Sequence, residues 1–154
     1  MIAVLQRVKR AQVCVDGEVV GACGEGLYIL LGVSREDSER DAEALAEKII
    51  NLRIFTDENG KMNYSLLNID GEMLVVSNFT LLASYRKGKR PDYMGAASPD
   101  DADRLYKYFT ELCSKSIRRV ETGVFGAHMM TDMETDGPVT IVMDSKELFK
   151  PKNS

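Results

Sequence analysis

The sequence predicts an α+β fold, a curled antiparallel-rich sheet or β-barrel with two main helices. Three observations predict it. Short runs rich in Val, Ile and Leu, punctuated by Gly, Asp and Asn, fill the first and last thirds of the chain. Two other stretches space their apolar residues at the helical period instead. With 154 residues, 44% of them hydrophobic and 29% charged, one core can form without disulfide or metal staples. No repeat, low-complexity tract or linker divides the chain, so residues 1–154 read as one domain.

Residues 2–8 and 11–16 are strand-like, and Asp16-Gly17 is a hairpin turn signal. Residues 18–22 return along the hairpin. Gly24-Glu25-Gly26 then breaks the pattern before a buried strand over 27–33. A helix over 38–50 places Ala42, Leu45, Ala46 and Ile49 on one stripe. Its early acids Glu39, Asp41 and Glu43 suit the positive end of the helix dipole. A short strand at 53–55, a turn at 57–60 and a strand from Glu72 into Phe79 follow, then a polar loop over 84–98. Ser98 can cap a second helix, Pro99 suits its first position and Asp101 completes a capping-box variant. Leu105, Tyr108, Phe109 and Leu112 form its predicted buried face. Strands return at 120–122, 128–134 and 138–144, and the basic tail 146–154 is expected to fray.

Composition excludes several function classes. The net charge of -4 argues against a generic, highly basic nucleic-acid binder. No run approaches the roughly 18 apolar residues of a membrane span, and Met1 to Arg7 has no signal-peptide character. Three cysteines without CxxC spacing fit free thiols of a reducing cytoplasm better than a disulfide or zinc framework. One histidine, His128, precludes any site built on several imidazoles. No metal, cofactor, membrane or DNA partner is expected.

Three segments are unusual for plain scaffold. Ser77-Asn78-Phe79-Thr80-Leu81 sets hydroxyls and an amide at the end of an apolar strand, where backbone N–H groups could face a reacting carbonyl. Local bonding of Ser and Thr to backbone explains the same pattern without function. Asp136-Gly137-Pro138-Val139-Thr140 reads as an ordinary Gly-Pro turn, unless its carbonyls point into a pocket. Arg86, Lys87, Lys89 and Arg90 place four basic residues in five positions near Tyr85 and Tyr93, suiting either phosphate contacts or a solvated loop.

Together these segments resemble the D-aminoacyl-tRNA deacylase family nearly end to end. Gln6-Arg7-Val8, Asn51-Leu52-Arg53-Ile54-Phe55, Gly60-Lys61-Met62-Asn63, Lys87-Gly88-Lys89-Arg90-Pro91 and Thr122 to Ala127 join the two motifs in the same order. The resemblance implies a cytoplasmic homodimer with a barrel-like fold that hydrolyses D-aminoacyl-tRNA and mischarged glycyl-tRNA, a chiral proofreading step in translation. It assigns Ser77, Asn78, Phe79 and Thr80 to the catalytic strand. It makes Gly137 and Pro138 a cis element that enters the partner's pocket and selects chirality, with Arg7, Val139 and Thr140 in support. Two positions depart from the family pattern. Asn78 stands where Gln is usual, and Thr135 where Asn begins the second motif. His128 stands where Asp is common.

The implied chemistry is attack of water on the ester, with backbone N–H groups around Phe79 and Thr80 stabilising the oxyanion. No base is evident to activate Thr80 as a nucleophile. Assistance by the tRNA's terminal 2′-hydroxyl, with Thr80 positioning the substrate, is therefore the favoured route. The competing classes are a non-catalytic RNA-binding module using the 86–90 loop and a small-molecule esterase using Thr80 or Cys113.

Because basic residues concentrate in one loop while the chain is acidic overall, tRNA binding should rest on few phosphates. Titrations across a salt series should give a shallow slope of log K against log salt, no steeper than about -4 for four contacts. A slope implying eight or more contacts contradicts this loop as the main anchor.

Overall fold

In the computed structural model, which describes residues 1–153, the chain runs through strands β1 (Ile2–Val15), β2 (Glu18–Cys23) and β3 (Gly26–Gly32) into helix α1 (Glu39–Asn51). A small ribbon, β4 (Phe55–Thr56) with β5 (Met62–Tyr64), precedes β6 (Glu72–Ser77). A 3-10 turn (Phe79–Leu82), α2 (Pro99–Ser114), β7 (Val120–Thr122), β8 (Met130–Asp144) and α3 (Ser145–Leu148) complete it.

The six-stranded sheet orders as β2-β1-β3-β6-β7, with β8 along the other edge of β1. β1 is antiparallel to β2, β3 and β8, whereas β3-β6 and β6-β7 are parallel. Those parallel pairs require crossovers, and α1 and α2 fall in the connections that make them. β2 curls toward β7, where Ala22 N–H donates to Glu121 Oε1 at 2.9 Å. A Cβ at Gly21 would sit 2.2 Å from the Thr122 carbonyl oxygen, so glycine permits that approach. The result is a nearly closed, barrel-like mixed sheet.

Both faces of the central strands are covered. In β6, Met73 and Val75 pack on the helix side while Leu74 and Val76 fill the barrel, so the strand reads as a continuous apolar run without alternation. Leu45 and Ile49 of α1 meet Leu105 and Phe109 of α2 over the first face. Ser98 caps α2 by accepting from Asp101 N–H, as its sequence predicts. Tyr108, expected in the core, is half-buried and donates to Glu43 instead, and Tyr106 takes the buried place.

Several boundaries differ from expectation. Residues 2–15 form one strand, because the break expected near 9–10 is an irregularity in its pairing with β8 rather than a chain turn. The segments 128–134 and 138–144 likewise merge into β8. The small strand lies at 55–56 rather than 53–55. The strand expected to reach Phe79 ends at Ser77. Where fraying from residue 146 is expected, α3 forms, Lys146 pairs with Glu36 at 2.9 Å and Arg40 stacks over the Phe149 ring. Ser154, the last residue of that tail, lies outside the described residues.

Tyr106 ties α2 to the strand that ends at the candidate site. Its hydroxyl donates to the Val75 carbonyl at 2.7 Å, and burial pushes its pKa up to about 12. Tyr106→Phe should therefore lower stability by about 1 kcal/mol in urea unfolding, the usual net worth of one buried neutral hydrogen bond. A change indistinguishable from zero means that this bond contributes nothing to docking α2.

Candidate active site

β6 is apolar from Met73 to Val76 because both its faces are buried, and polarity returns at Ser77, where the strand leaves the sheet. Asn78 has extended backbone and caps the 3-10 turn. The strand end opens into a cleft of about 750 Å³ lined by Ser77, Asn78, Phe79 and Thr80. Leu30 and Val76 wall it from the barrel side, Pro99 and Ala102 from the start of α2, and Phe125 to Met129 from the following loop. Phe79 packs edge-on against Tyr93 with ring centroids 5.0 Å apart.

The donors at this strand end are unevenly available. Phe79 N–H stands at the first position of the turn, where no helical carbonyl can accept it. Thr80 N–H instead donates to Asn78 Oδ1 at 3.2 Å, and Thr80 Oγ1 donates to the same oxygen. Of the two backbone donors expected to face an oxyanion, Phe79 N–H has no partner among the described residues and Thr80 N–H is engaged. No carboxylate or imidazole hydrogen-bonds Thr80 Oγ1 among the described residues. Exposed His128 lines the cleft. Cys113, near the end of α2, is fully buried, and burial pushes its thiol pKa up to about 12. That removes it as an esterase nucleophile, since the reactive species is the thiolate.

A second constellation lies on β1 and β8, away from that cleft. Register places Gln6 opposite Thr140 and Val8 opposite Thr135, so residues 136–139 bulge out against Arg7 alone. Arg7 is 8% exposed. Its Nε donates to the Asp136 carbonyl at 2.9 Å, and its Nη1 donates to the Ile54 carbonyl at 2.8 Å and Thr56 Oγ1 at 3.2 Å. The Asp136 carboxylate lies 3.4 Å from the same guanidinium. Thr140 Oγ1 donates to Gln6 Oε1 at 2.7 Å, and half-buried Val139 packs against the core. Gly137 and Pro138 project into solvent, and the peptide between them is cis. A Cβ at Gly137 would lie 2.3 Å from Val139 N, and φ there is +152°, so the tip of the bulge requires glycine. Thr135 keeps its ladder pairing with Val8.

A third group sits on the loop after the 3-10 turn. Ser84 and Asp92 exchange two backbone bonds of 2.8 Å that pinch its base. Ser84, Arg86, Lys87 and Asp92 line a concavity of about 520 Å³. Arg86, Lys87, Lys89 and Arg90 are all exposed.

One chain thus gathers Ser77 to Thr80 in the cleft but leaves Gly137 and Pro138 outside its lining. Sequence reading missed Tyr28 and Thr131, whose hydroxyls lie 3.2 Å apart in the cleft wall. An isolated Tyr within the apolar run Leu27 to Leu31 was the available signal. It also missed Asn78's short-range cap, for which an Asn two residues before a Thr was the signal.

The class defined by fold and site is a barrel-like α+β domain with a cleft at the end of β6, lined by hydroxyls and strand-end main chain. Residues 4–144 match the D-Tyr-tRNA(Tyr) deacylase family, and the chain belongs to that family. It is 56% identical over 149 residues to the D-aminoacyl-tRNA deacylase of Caldicellulosiruptor saccharolyticus, covering 97% of this chain and all of that protein. It is 55% identical over 152 residues to the D-aminoacyl-tRNA deacylase of Dehalococcoides mccartyi, covering 99% of each. A solved structure titled "c-Myc DNA Unwinding Element Binding Protein" superimposes with a TM-score of 0.88 at 42% identity, covering 94% of this chain and 98% of that one. One described as a probable eukaryotic D-amino acid tRNA deacylase shares the fold at a TM-score of 0.78 and 17% identity, covering 92% and 97%.

Arg7 is the fixed point of the second constellation. Arg7→Met keeps the volume and leaves the Asp136 and Ile54 carbonyls without their charged donor. It should cost about 1.5–3 kcal/mol of stability and should speed amide exchange across residues 135–140. Unchanged exchange there means that the bulge holds itself.

Proposed function

We propose that this protein is a D-aminoacyl-tRNA deacylase that cleaves the ester joining a D-amino acid to the tRNA 3′ end and also clears glycyl-tRNA. The observation that carries this reading is identity above one half, along nearly the whole chain, with two bacterial deacylases. The catalytic unit is residues 1–154 acting as a cytoplasmic homodimer. Among the described residues no helix is long and apolar enough to cross a membrane.

Ser77, Asn78, Phe79 and Thr80 form the reacting strand end. Water attacks the ester carbonyl, the terminal 2′-hydroxyl assists, and the N–H groups of Phe79 and Thr80 meet the developing oxyanion. Thr80 positions substrate, since nothing bonded to its hydroxyl can take a proton from it. Gly137 and Pro138 select chirality by placing main chain where an L side chain has to pass. Two features support their entry into a partner's cleft. They project from the chain without lining its own cleft, and among the described residues β8 pairs only with β1, leaving a long strand edge open. Arg7, Val139 and Thr140 hold that bulge. Arg86, Lys87, Lys89 and Arg90 contact tRNA phosphates, and their exposure beside the cleft loop supports the role.

One assay tests the reading. Purified protein is given D-Tyr-tRNA, L-Tyr-tRNA and a free D-Tyr ester, and Thr80→Ala is run in parallel. D-Tyr-tRNA should be cleaved at least about 100-fold faster than L-Tyr-tRNA, a main-chain clash of roughly 2.7 kcal/mol, with the free ester inert. Thr80→Ala should retain measurable turnover. Binding of tRNA without cleavage supports the non-catalytic module instead. Cleavage of the free ester supports the small-molecule esterase, and total loss in Thr80→Ala supports a covalent route.

A further inference from the structure

The family pattern has Gln where this chain has Asn78, and the structure shows a consequence of the shorter side chain. At the start of a 3-10 turn the leading N–H groups lack helical acceptors and face outward. Here one of them is filled from within. Asn78 Oδ1 accepts from Thr80 N–H at 3.2 Å and from Thr80 Oγ1 as well. Asn closes this ring to the backbone two residues on, and it is among the preferred capping residues, whereas Gln is not.

The acceptor is an sp2 carbonyl oxygen, the same chemical group as the ester carbonyl oxygen of an aminoacyl-tRNA. It sits in the cleft lining at the strand end where that ester is expected to bind. Asn78 Nδ2 has no hydrogen-bond partner among the described residues, so the cap is what holds the carboxamide in place. Thr80 itself is exposed, so its N–H becomes available once the carboxamide turns away.

We propose that Asn78 is a self-capping gate: its side-chain oxygen occupies the Thr80 amide in the place of the substrate carbonyl, and turnover requires it to rotate out. The proposal rests on the deacylase reading and concerns the rate at that same site. It acts by withholding a donor from the substrate, so Asn78 is a positioning residue rather than a participant in bond cleavage. A protein whose competent state is only fractionally populated shows a correspondingly reduced apparent affinity for its ligand. An Asn cap removed to Ala typically shifts its equilibrium about fivefold.

The test compares Asn78→Ala, Asn78→Gln and Asn78→Asp with the unsubstituted protein on D-Tyr-tRNA, together with thermal unfolding and amide exchange at Thr80. Asn78→Ala and Asn78→Gln should each raise kcat/KM about fivefold and speed Thr80 exchange, while lowering the melting temperature. Asn78→Asp keeps the cap and sets a negative charge where the oxyanion develops, so its kcat should fall at least about tenfold. A residue that merely supports the turn lowers both stability and activity when removed. Opposite signs of the two are therefore the signature of a gate. Unchanged or reduced kcat/KM in both Asn78→Ala and Asn78→Gln, or unchanged Thr80 exchange, overturns the proposal. Absence of D-Tyr-tRNA cleavage by the unsubstituted protein instead overturns the deacylase reading, so the two failures are distinguishable.

Discussion

The burial of one guanidinium organises the β1–β8 side of this protein. Arg7 lies within β1, and a charge so removed from water must recover its hydration from protein dipoles. It does so from the Asp136 and Ile54 carbonyls and from Thr56 Oγ1, groups on two other segments. The arrangement ties the 54–56 strand to β1 and fixes where β8 leaves its regular ladder. With residues 136–139 opposite one residue, the ladder cannot close, and the excess chain is displaced outward. Arg7 converts that excess into a defined projection, with Gly137 and Pro138 at its tip. Gly137 is required there because a Cβ would collide with Val139.

The cleft depends on a different constraint, the burial of β6 on both faces. A strand covered by helices on one side and barrel side chains on the other can carry polar groups only where it escapes. β6 escapes at Ser77, and the next residues tighten into a 3-10 turn that exposes its leading amides. Polar side chains and main-chain donors therefore collect at one point for reasons of packing. Catalysis by oriented backbone donors suits such a place. The main chain that carries those donors is held by the sheet and helices around it.

Local rules made much of this legible in the sequence. The Ser98-Pro99-Asp101 start of α2 and the apolar stripe of α1 follow from capping and helical periodicity, and both elements fall within a residue of expectation. The break in polarity after Val76 marked the candidate strand end. What local rules missed depends on long-range pairing. Parallel placement of β6 beside β3 and β7 leaves no trace in either strand's own residues. The bulge at 136–139 reads as an ordinary Gly-Pro turn until its partner across the ladder is known to be Arg7. Tyr106 and Tyr108 both fit a helical stripe, and only the position of Val75 decides which one is buried. The end of the chain looks like a frayed basic tail because Glu36 and Arg40, which dock it, lie more than 100 residues away.

Charge distribution reconciles an acidic protein with a polyanionic substrate. The net charge of -4 acts at long range, where salt at cellular strength screens it within about 8 Å. Binding is decided closer in. Some acidic side chains are engaged locally: Glu39 pairs with Arg104, Glu72 with Arg118 and Arg119, and Asp132 with Arg10. The four cations of the 86–90 loop have no such partners among the described residues, on a loop whose base is pinned by the Ser84–Asp92 bridge. That leaves four unpaired cations together on one loop of a chain whose net charge is -4, so the rest of the surface is net acidic. If that loop contacts tRNA phosphates as proposed, a long polyanion is attracted at one locus and repelled over the rest of the surface. For an enzyme that must release a tRNA after each ester cleaved, weak and localised attraction is the more useful arrangement. The acidic balance of the chain is part of what produces it.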